Sequence, residues 1–129
     1  MIKINRVDHL NYKVKKFDET IAFYGEHFGF KKIEGGVRMG RRWALIGIPG
    51  SFGLCIYEEP ERYRDGNEQY IEHFGINVEN FEETKEYLKG KGLRFLYGGV
   101  VDYDNSQSIY IADPNGYEIE ISKYVMGGN

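Results

Sequence analysis

Residues 113–121 read DPNGYEIEI, a turn motif followed at once by an alternating strand. Asp113, Pro114 and Gly116 stand at the first, second and fourth positions of a type I turn, because Pro presets φ and Gly tolerates positive φ. The strand alternates apolar residues with glutamates, so its apolar side chains face one way and its glutamates the other. The role of Glu120 then depends on whether its face meets open solvent or a pocket.

The composition limits the classes of function. A chain of 129 residues with 41% apolar residues predicts one domain with a real core. The net charge of −3 and the scattered basic residues argue against nucleic-acid binding. No apolar run approaches the ~18 residues of a membrane span. Cys55 is the only cysteine, so no intrachain disulfide is possible and we expect a reducing, cytoplasmic location.

The order of strand, helix and turn patterns occurs twice along the chain. A β-α-β-β-β pattern occupies residues of about 5–58, and the same order returns over about 70–124. The residues between them, about 59–69, are polar and charged and are interpreted as a linker. The sequence therefore predicts two units of the same type within a single domain, 1–129.

Local motifs predict the ends of several elements. Asp18 is expected to cap the first helix, and Asn80 to cap the second with Glu83 at the third helical position. Leu93–Gly98 is expected to be the second strand of the second unit.

Direct residue matches support the repeat. At an offset of 64 residues, the pairs His9 and His73, Phe17 and Phe81, and Thr20 and Thr84 coincide. At an offset of 63, Tyr57 falls on the position of Glu120. One helix per unit covers only one face of its sheet. Strand periodicity then places His9, His73, Tyr57 and Glu120 on the opposite face.

Two histidines and one glutamate on a shared face form a 2-His-1-carboxylate set. Neutral imidazole and carboxylate suit one divalent ion of Fe, Mn, Zn, Ni or Co. Three protein ligands leave coordination positions for water or substrate, which suits either Lewis-acid or oxygen chemistry. His9, His73 and Glu120 are therefore the predicted metal ligands.

The chain resembles the vicinal oxygen chelate superfamily, which includes glyoxalase I, methylmalonyl-CoA epimerase, fosfomycin-resistance proteins and type I extradiol dioxygenases. The resemblance lies in the paired units, in DHL at 8–10, in EHF at 72–74 and in DPNGYEIE at 113–120. It implies an α+β fold in which two tandem βαβββ modules form a curved, mostly antiparallel sheet around a cavity, with helices on the outer face. It also implies a small-molecule substrate and a homodimer.

The resemblance does not select a subfamily. His9, His73 and Glu120 match three family metal positions, but Tyr57 stands where glyoxalase I and the epimerase have a fourth ligand. Ser108-Ile109-Tyr110 resembles the fosfomycin-resistance proteins locally, yet Val100 lies where those proteins would have a phosphonate-binding lysine.

Periodicity also selects cavity-facing side chains beside the metal ligands. Tyr57 and Tyr110 are predicted to donate hydrogen bonds or to act as acid or base. Tyr97 and Tyr103 flank Gly98-Gly99, which is interpreted as a rim loop. The predicted substrate-binding residues are Asn11, Trp43, Leu45, Cys55 and Ser108.

Two functions of different classes remain open. The favoured one is a metalloenzyme acting on a small molecule with vicinal oxygens, by dioxygenation or by isomerase or lyase chemistry. The alternative is a non-catalytic protein of the bleomycin-resistance kind that sequesters an aromatic ligand. The aromatic content of 16% suits the second function, whereas the His9, His73 and Glu120 set favours the first.

Overall fold

The computed structural model describes residues 1, 3, 9–59, 73–103 and 106–124, and the chain divides into two units, Met1–Asn67 and Glu68–Asn129. The first unit contains β1 (His9–Val14), α1 (Phe17–Phe28), β2 (Lys31–Arg38), β3 (Arg41–Ile48) and β4 (Phe52–Glu58). The second contains β5 (His73–Asn77), α2 (Phe81–Gly90), β6 (Val101–Tyr103), β7 (Ser106–Ala112) and β8 (Glu118–Ser122). The predicted starts of both first strands and most of the predicted linker lie outside the described residues.

The two units have the same topology. The strand order is β1-β4-β3-β2 in the first sheet and β5-β8-β7-β6 in the second. In each, the first and last strands pair in parallel, while the other two ladders are antiparallel. The predicted α+β class, with two β-α-β-β-β units and mostly antiparallel pairing, is confirmed.

The helix-facing side of the first sheet forms the core of that unit. In β1, Tyr12 and Val14 are buried while His9 and Asn11 are exposed, as the alternation predicts. The core of this unit includes Phe17, Tyr24, Phe30, Ala44, Ile46, Leu54 and Ile56. The predicted site residues of the first unit lie on the other face.

The second unit repeats this separation of faces. Phe74 of β5 is buried between the exposed His73 and Gly75. The core of this unit includes Phe81, Leu88, Ile109, Ile111, Ile119 and Ile121. Since Ile119 and Ile121 are fully buried, the intervening Glu120 projects from the opposite side of β8.

The two helices begin differently. The prediction for α2 is confirmed, because the Asn80 side chain accepts a hydrogen bond from Glu83 N at 3.1 Å. The prediction for α1 is wrong: the N-cap is Lys16, which makes no side-chain capping bond. Asp18 lies within the first turn, where its negative charge interacts favourably with the helix dipole.

Neither helix in the described parts of the chain has the length and apolar character needed to span a membrane.

The predicted strand at Leu93–Gly98 is also wrong. The corresponding strand is Val101–Tyr103, and a loop precedes it. The φ angles of Tyr97, Gly98 and Gly99 are 55°, 79° and 115°, which no β-strand accommodates. The apolar residues before Gly98 suggested a strand, whereas the backbone there follows a turn.

The pairing register corrects the internal alignment. Asn11 pairs with Cys55 in the first sheet, and the corresponding Gly75 pairs with Glu120 in the second. Cys55, rather than Tyr57, is therefore the counterpart of Glu120.

Tyr57 was matched to Glu120 because the alignment of the two units superimposed Gly53 on Gly116, which occupy different structural positions. Gly53 lies within β4, whereas Gly116, with a φ of 88°, belongs to the turn before β8. Aligning these two glycines displaced the strands by two residues. Because side chains alternate with a period of two, the predicted face of Tyr57 was unaffected.

Candidate functional site

The turn before β8 fixes where that strand begins. Gly116 N donates to Asp113 O at 3.0 Å, which closes the predicted turn. The buried Asp113 carboxylate accepts hydrogen bonds from Asn115 N at 2.8 Å and Tyr117 N at 3.0 Å. These three bonds hold the chain as it enters β8 and so contribute to the placement of Glu120.

Two neighbouring strands hold the Glu120 carboxylate. Ser108 of β7 donates a hydrogen bond from Oγ to Glu120 Oε1 at 2.8 Å. His73 Nε2 of β5 lies 3.2 Å from Glu120 Oε2. Ser108 is only 1% exposed, so its bond orients the carboxylate from beneath while the other oxygen faces His73.

The His73–Glu120 pair has the chemistry of two metal ligands. Imidazole nitrogen and carboxylate oxygen are preferred donors for several divalent transition metals. Two donors about 2.1 Å from one ion, at tetrahedral or octahedral angles, lie roughly 3.0–3.4 Å apart. The observed 3.2 Å separation fits that range. Both side chains keep some exposure, 39% for His73 and 22% for Glu120.

Tyr110 lies against the same pair. Its ring meets the His73 ring edge to face, with centroids 5.7 Å apart. Its hydroxyl shares a 2.6 Å hydrogen bond with that of Tyr103. Burial, then the Tyr103 hydroxyl and the nearby Glu120 carboxylate, raise the pKa of Tyr110 far above its ordinary value. The phenol is therefore protonated at neutral pH.

Two further residues lie beside Tyr110: Tyr97, which the sequence placed on a rim loop, and Glu118, to which the sequence assigned no role. The Tyr97 ring meets the Tyr110 ring edge to face, with centroids 5.2 Å apart. The Tyr97 hydroxyl donates a hydrogen bond to the Glu118 carboxylate. The period of β8 places Glu118 on the face of Glu120, so alternation was a usable clue to Glu118. The Tyr97 side chain contacts Glu118 because of a turn at Tyr97 and Gly98, which the sequence analysis did not predict.

In the first unit, the predicted side chains share the face away from the helix. Trp43 and Tyr57 stack with centroids 6.3 Å apart and an interplanar angle of 21°. Leu45 lines a cavity of about 220 Å³ beside the turn between β3 and β4. Burial, and then the Glu34 carboxylate, raise the pKa of the Cys55 thiol. This face thus carries aromatic and apolar side chains and a thiol, with the Glu34 carboxylate nearby.

His9 and Asn11 lie on β1 at the edge of the same face, opposite Gly53 and Cys55 of β4. Within the described residues, no three His, Cys, Asp or Glu side chains form a metal-binding group. The structure therefore brings together two of the predicted ligands, His73 and Glu120. The third, His9, belongs to the other unit.

Comparisons with known proteins agree with this architecture. Residues 6–121 match the family described as the Glyoxalase/Bleomycin resistance protein/Dioxygenase superfamily. The match spans both units and includes His9, His73 and Glu120.

Two curated relatives represent different members of this group. Metallothiol transferase FosB of Staphylococcus epidermidis is 27% identical over 123 residues, covering 93% of this chain and 82% of FosB. Lactoylglutathione lyase of Schizosaccharomyces pombe is 26% identical over 142 residues, covering 90% of this chain. The match covers 46% of the yeast protein, about half of its length.

Solved structures share the fold. The glyoxalase family protein from Enterococcus faecalis has a TM-score of 0.78 at 20% identity, covering 92% of this chain and 98% of its own. The fosfomycin resistance protein FosX from Listeria monocytogenes, solved with Mn(II) and sulfate, has a TM-score of 0.70 at 20% identity, with 98% of each chain covered.

Proposed function

The chain belongs to the Glyoxalase/Bleomycin resistance protein/Dioxygenase superfamily, and we propose that it is a metal-dependent enzyme acting on a small molecule with vicinal oxygens. The observation that carries this proposal is the His73–Glu120 pair, with Nε2 and Oε2 3.2 Å apart and the carboxylate oriented by Ser108. An orienting bond of this kind is typical of ligands in metal sites.

His9, His73 and Glu120 are the proposed ligands of one divalent ion. The three residues lie on sheet faces that point away from the helices of their own units, and His9 and His73 occupy corresponding ends of β1 and β5. Lactoylglutathione lyase, FosB and FosX are similar to this chain along most of its length, and FosX was solved with Mn(II). The ion remains one of Fe, Mn, Zn, Ni or Co.

The chain's own residues would bind and orient the substrate. A divalent ion in this place supplies Lewis-acid polarisation of the substrate oxygens, or access to oxygen chemistry if it is iron. Ser108 would orient Glu120, and Tyr110, whose ring contacts His73, is the proposed hydrogen-bond donor to the substrate. In the first unit, Tyr57 is the proposed hydrogen-bond donor, and Trp43 stacks against it.

Metal titration of single variants tests the ligand assignment. We expect Glu120→Gln to weaken Mn(II) or Zn(II) binding at least ten-fold, because the amide carries no charge and is a poorer donor. Isothermal titration calorimetry of the metal-depleted chain measures the change. Glu86→Gln, on the exposed face of α2, is the matched carboxylate control. Equal affinities in the two variants and the wild type would remove Glu120 from the site.

The non-catalytic alternative is supported by one feature of the first unit. The Trp43–Tyr57 stack is partly exposed on the face away from the helix, where a flat ligand can contact it. A sequestering protein needs this surface but not His73 and Glu120. If Trp43→Ala abolished ligand binding while His73→Ala and metal depletion left it unchanged, the sequestering function would replace the enzymatic one.

A further inference from the structure

The loop between α2 and β6 turns back onto the second sheet at Tyr97. Leu96 N donates to Tyr110 O at 2.8 Å, and Gly99 N donates to Leu96 O at 3.2 Å. The two central residues of this turn, Tyr97 and Gly98, have φ angles of 55° and 79°. Positive φ at both positions defines a type I′ turn, in which tyrosine is an unfavourable first central residue. Other contacts must therefore stabilise Tyr97 there.

Those contacts are made by its side chain. The hydroxyl donates to the Glu118 carboxylate on β8. The ring meets Tyr110 edge to face at an interplanar angle of 88°. Tyr110 in turn contacts the His73 ring and shares a hydrogen bond with Tyr103. The left-handed turn thus places Tyr97 one ring away from the proposed metal ligand His73.

Tyr97, Tyr103 and Tyr110 together form a tyrosine wall beside the His73–Glu120 pair. Tyr110 is 6% exposed, but Tyr97 and Tyr103 are 65% and 50% exposed. Aromatic rings whose hydroxyls are hydrogen-bonded, and of which half or more stays exposed, are suited to contact a ligand. The wall therefore adds a broad aromatic surface beside the reactive pair.

The Glu118 carboxylate disfavours an anion at the Tyr97 end of the tyrosine wall. Glu118 and Glu120 both face this side of β8, and no Lys or Arg within the described residues forms an ion pair with either. The hydroxyls of the wall are neutral donors and acceptors. A negatively charged ligand group beside Tyr97 would meet the Glu118 carboxylate, whereas an uncharged group would meet aromatic carbon and hydroxyls.

We propose that Tyr97 is a specificity-determining residue of this site, and that the tyrosine wall accepts an uncharged aromatic group of the ligand and disfavours an anionic one. This inference rests on the proposed function only in taking His73 and Glu120 as metal ligands. It adds the chemical class of the ligand group that contacts Tyr97, which the metal site alone does not define.

Two fluorinated probes that differ only in charge test this selectivity. 4-(Trifluoromethyl)benzyl alcohol and 4-(trifluoromethyl)benzoate are titrated with the full chain freed of divalent ions, because a carboxylate would coordinate a bound metal directly, and binding is followed by ¹⁹F NMR. We expect the alcohol to bind more tightly, and Tyr97→Ala to weaken it roughly three- to ten-fold through loss of an aromatic contact. Tyr87→Ala, on α2, is the matched control for removing a partly exposed tyrosine.

A second variant separates selectivity from structural damage. Tyr97→Lys places a cation beside Glu118, so the preference should shift toward the benzoate, a gain that misfolding does not produce. Equal affinities of the wild type for both probes, or unchanged binding in Tyr97→Ala, would overturn the inference. Zinc binding is measured on the same samples. Its absence, with the probe preference intact, would refute the proposed enzyme and leave the role of Tyr97 standing.

Discussion

Glu120 is held from two directions, by a hydroxyl on β7 and an imidazole on β5. A glutamate on a fully solvated strand would be hydrogen-bonded by water, whereas Glu120 accepts a bond from the buried Ser108. The Ser108 bond limits the rotation of the carboxylate and leaves Oε2 facing His73. The arrangement is preorganised for binding, because less side-chain freedom is lost when a third group arrives.

Removing the Ser108 hydroxyl tests that preorganisation. Ser108→Ala leaves Glu120 in place but frees its carboxylate to rotate. Loss of such a supporting bond typically weakens metal binding by about 10–100-fold, and we expect an effect in this range. Metal titration of the purified variant measures it.

Ser106→Ala is the control for this prediction. Ser106 lies on the same strand, and among the described residues its hydroxyl donates to the neighbouring Gln107 carbonyl at 3.5 Å and makes no bond to Glu120. The account of Ser108 as a positioning residue fails if both alanine variants bind metal like the wild type.

Alternation along single strands was enough to predict the face of each site residue. Ile119 and Ile121 identified the buried side of β8 and so the open side for Glu120. The contact between Tyr97 and Glu118 was not predictable in this way. It joins residues 21 positions apart through a left-handed tyrosine, which sequence periodicity does not encode.

The helix starts provide a comparison between equivalent positions of the two units. Asn80 caps α2 through its side chain, whereas Lys16, at the corresponding position of α1, makes no side-chain capping bond. Asn80→Ala should therefore lower the free energy of unfolding by about 1 kcal/mol. Denaturant titration monitored by circular dichroism provides the measurement.

Lys16→Ala serves as the control, and its cost should stay below about 0.5 kcal/mol because no cap is lost. A larger loss in Lys16→Ala than in Asn80→Ala would contradict the assignment of the two caps.

Arg42 connects three elements of the first unit. Its guanidinium bonds Asp18 of α1 at 3.1 and 3.2 Å and Glu58 of β4 at 2.5 and 3.2 Å. It also lies 4.6 Å from the centroid of the Phe17 ring. Isolated surface ion pairs contribute little, but a two-carboxylate network with an aromatic contact constrains the elements more strongly.

This network predicts a pH-dependent contribution to stability. The hydrogen bond from Arg42 lowers the pKa of Glu58, so the stabilisation is present above the ordinary glutamate pKa and is lost as the pH falls through the lowered one. Arg42→Met should lower the Tm at pH 7, and the difference should shrink below about pH 4.3.

Thermal unfolding across this pH range tests the Arg42 prediction, with the exposed Arg38→Met as a control. A Tm difference between Arg42→Met and the wild type that stays constant down to pH 2 would show that the carboxylates play no part.

The repeat made the unit architecture predictable, because two copies of one pattern constrain each other. The strand at 93–98 was mispredicted since apolar composition does not distinguish a strand from a turn stabilised by distant contacts. The counterpart of Glu120 was misassigned because Gly53 and Gly116 share a residue type but differ in structural position. Register depends on pairing between strands, which a single alignment offset does not capture.

Each unit supplies one aromatic or polar face, and the proposed ligands come from both. A homodimer, which we propose as the functional form, allows the ligand set to be completed within one chain or across two. Each chain carries one His9, one His73 and one Glu120, so the proposal requires one metal ion per chain.

The central claim is tested most directly by the metal content of the full chain purified without chelators, measured by inductively coupled plasma mass spectrometry. We predict close to one divalent transition-metal ion per chain, and a strong loss in His73→Ala. His27→Gln, a histidine variant outside the site, should retain the metal. A content below about 0.2 per chain that His73→Ala does not change would contradict the account.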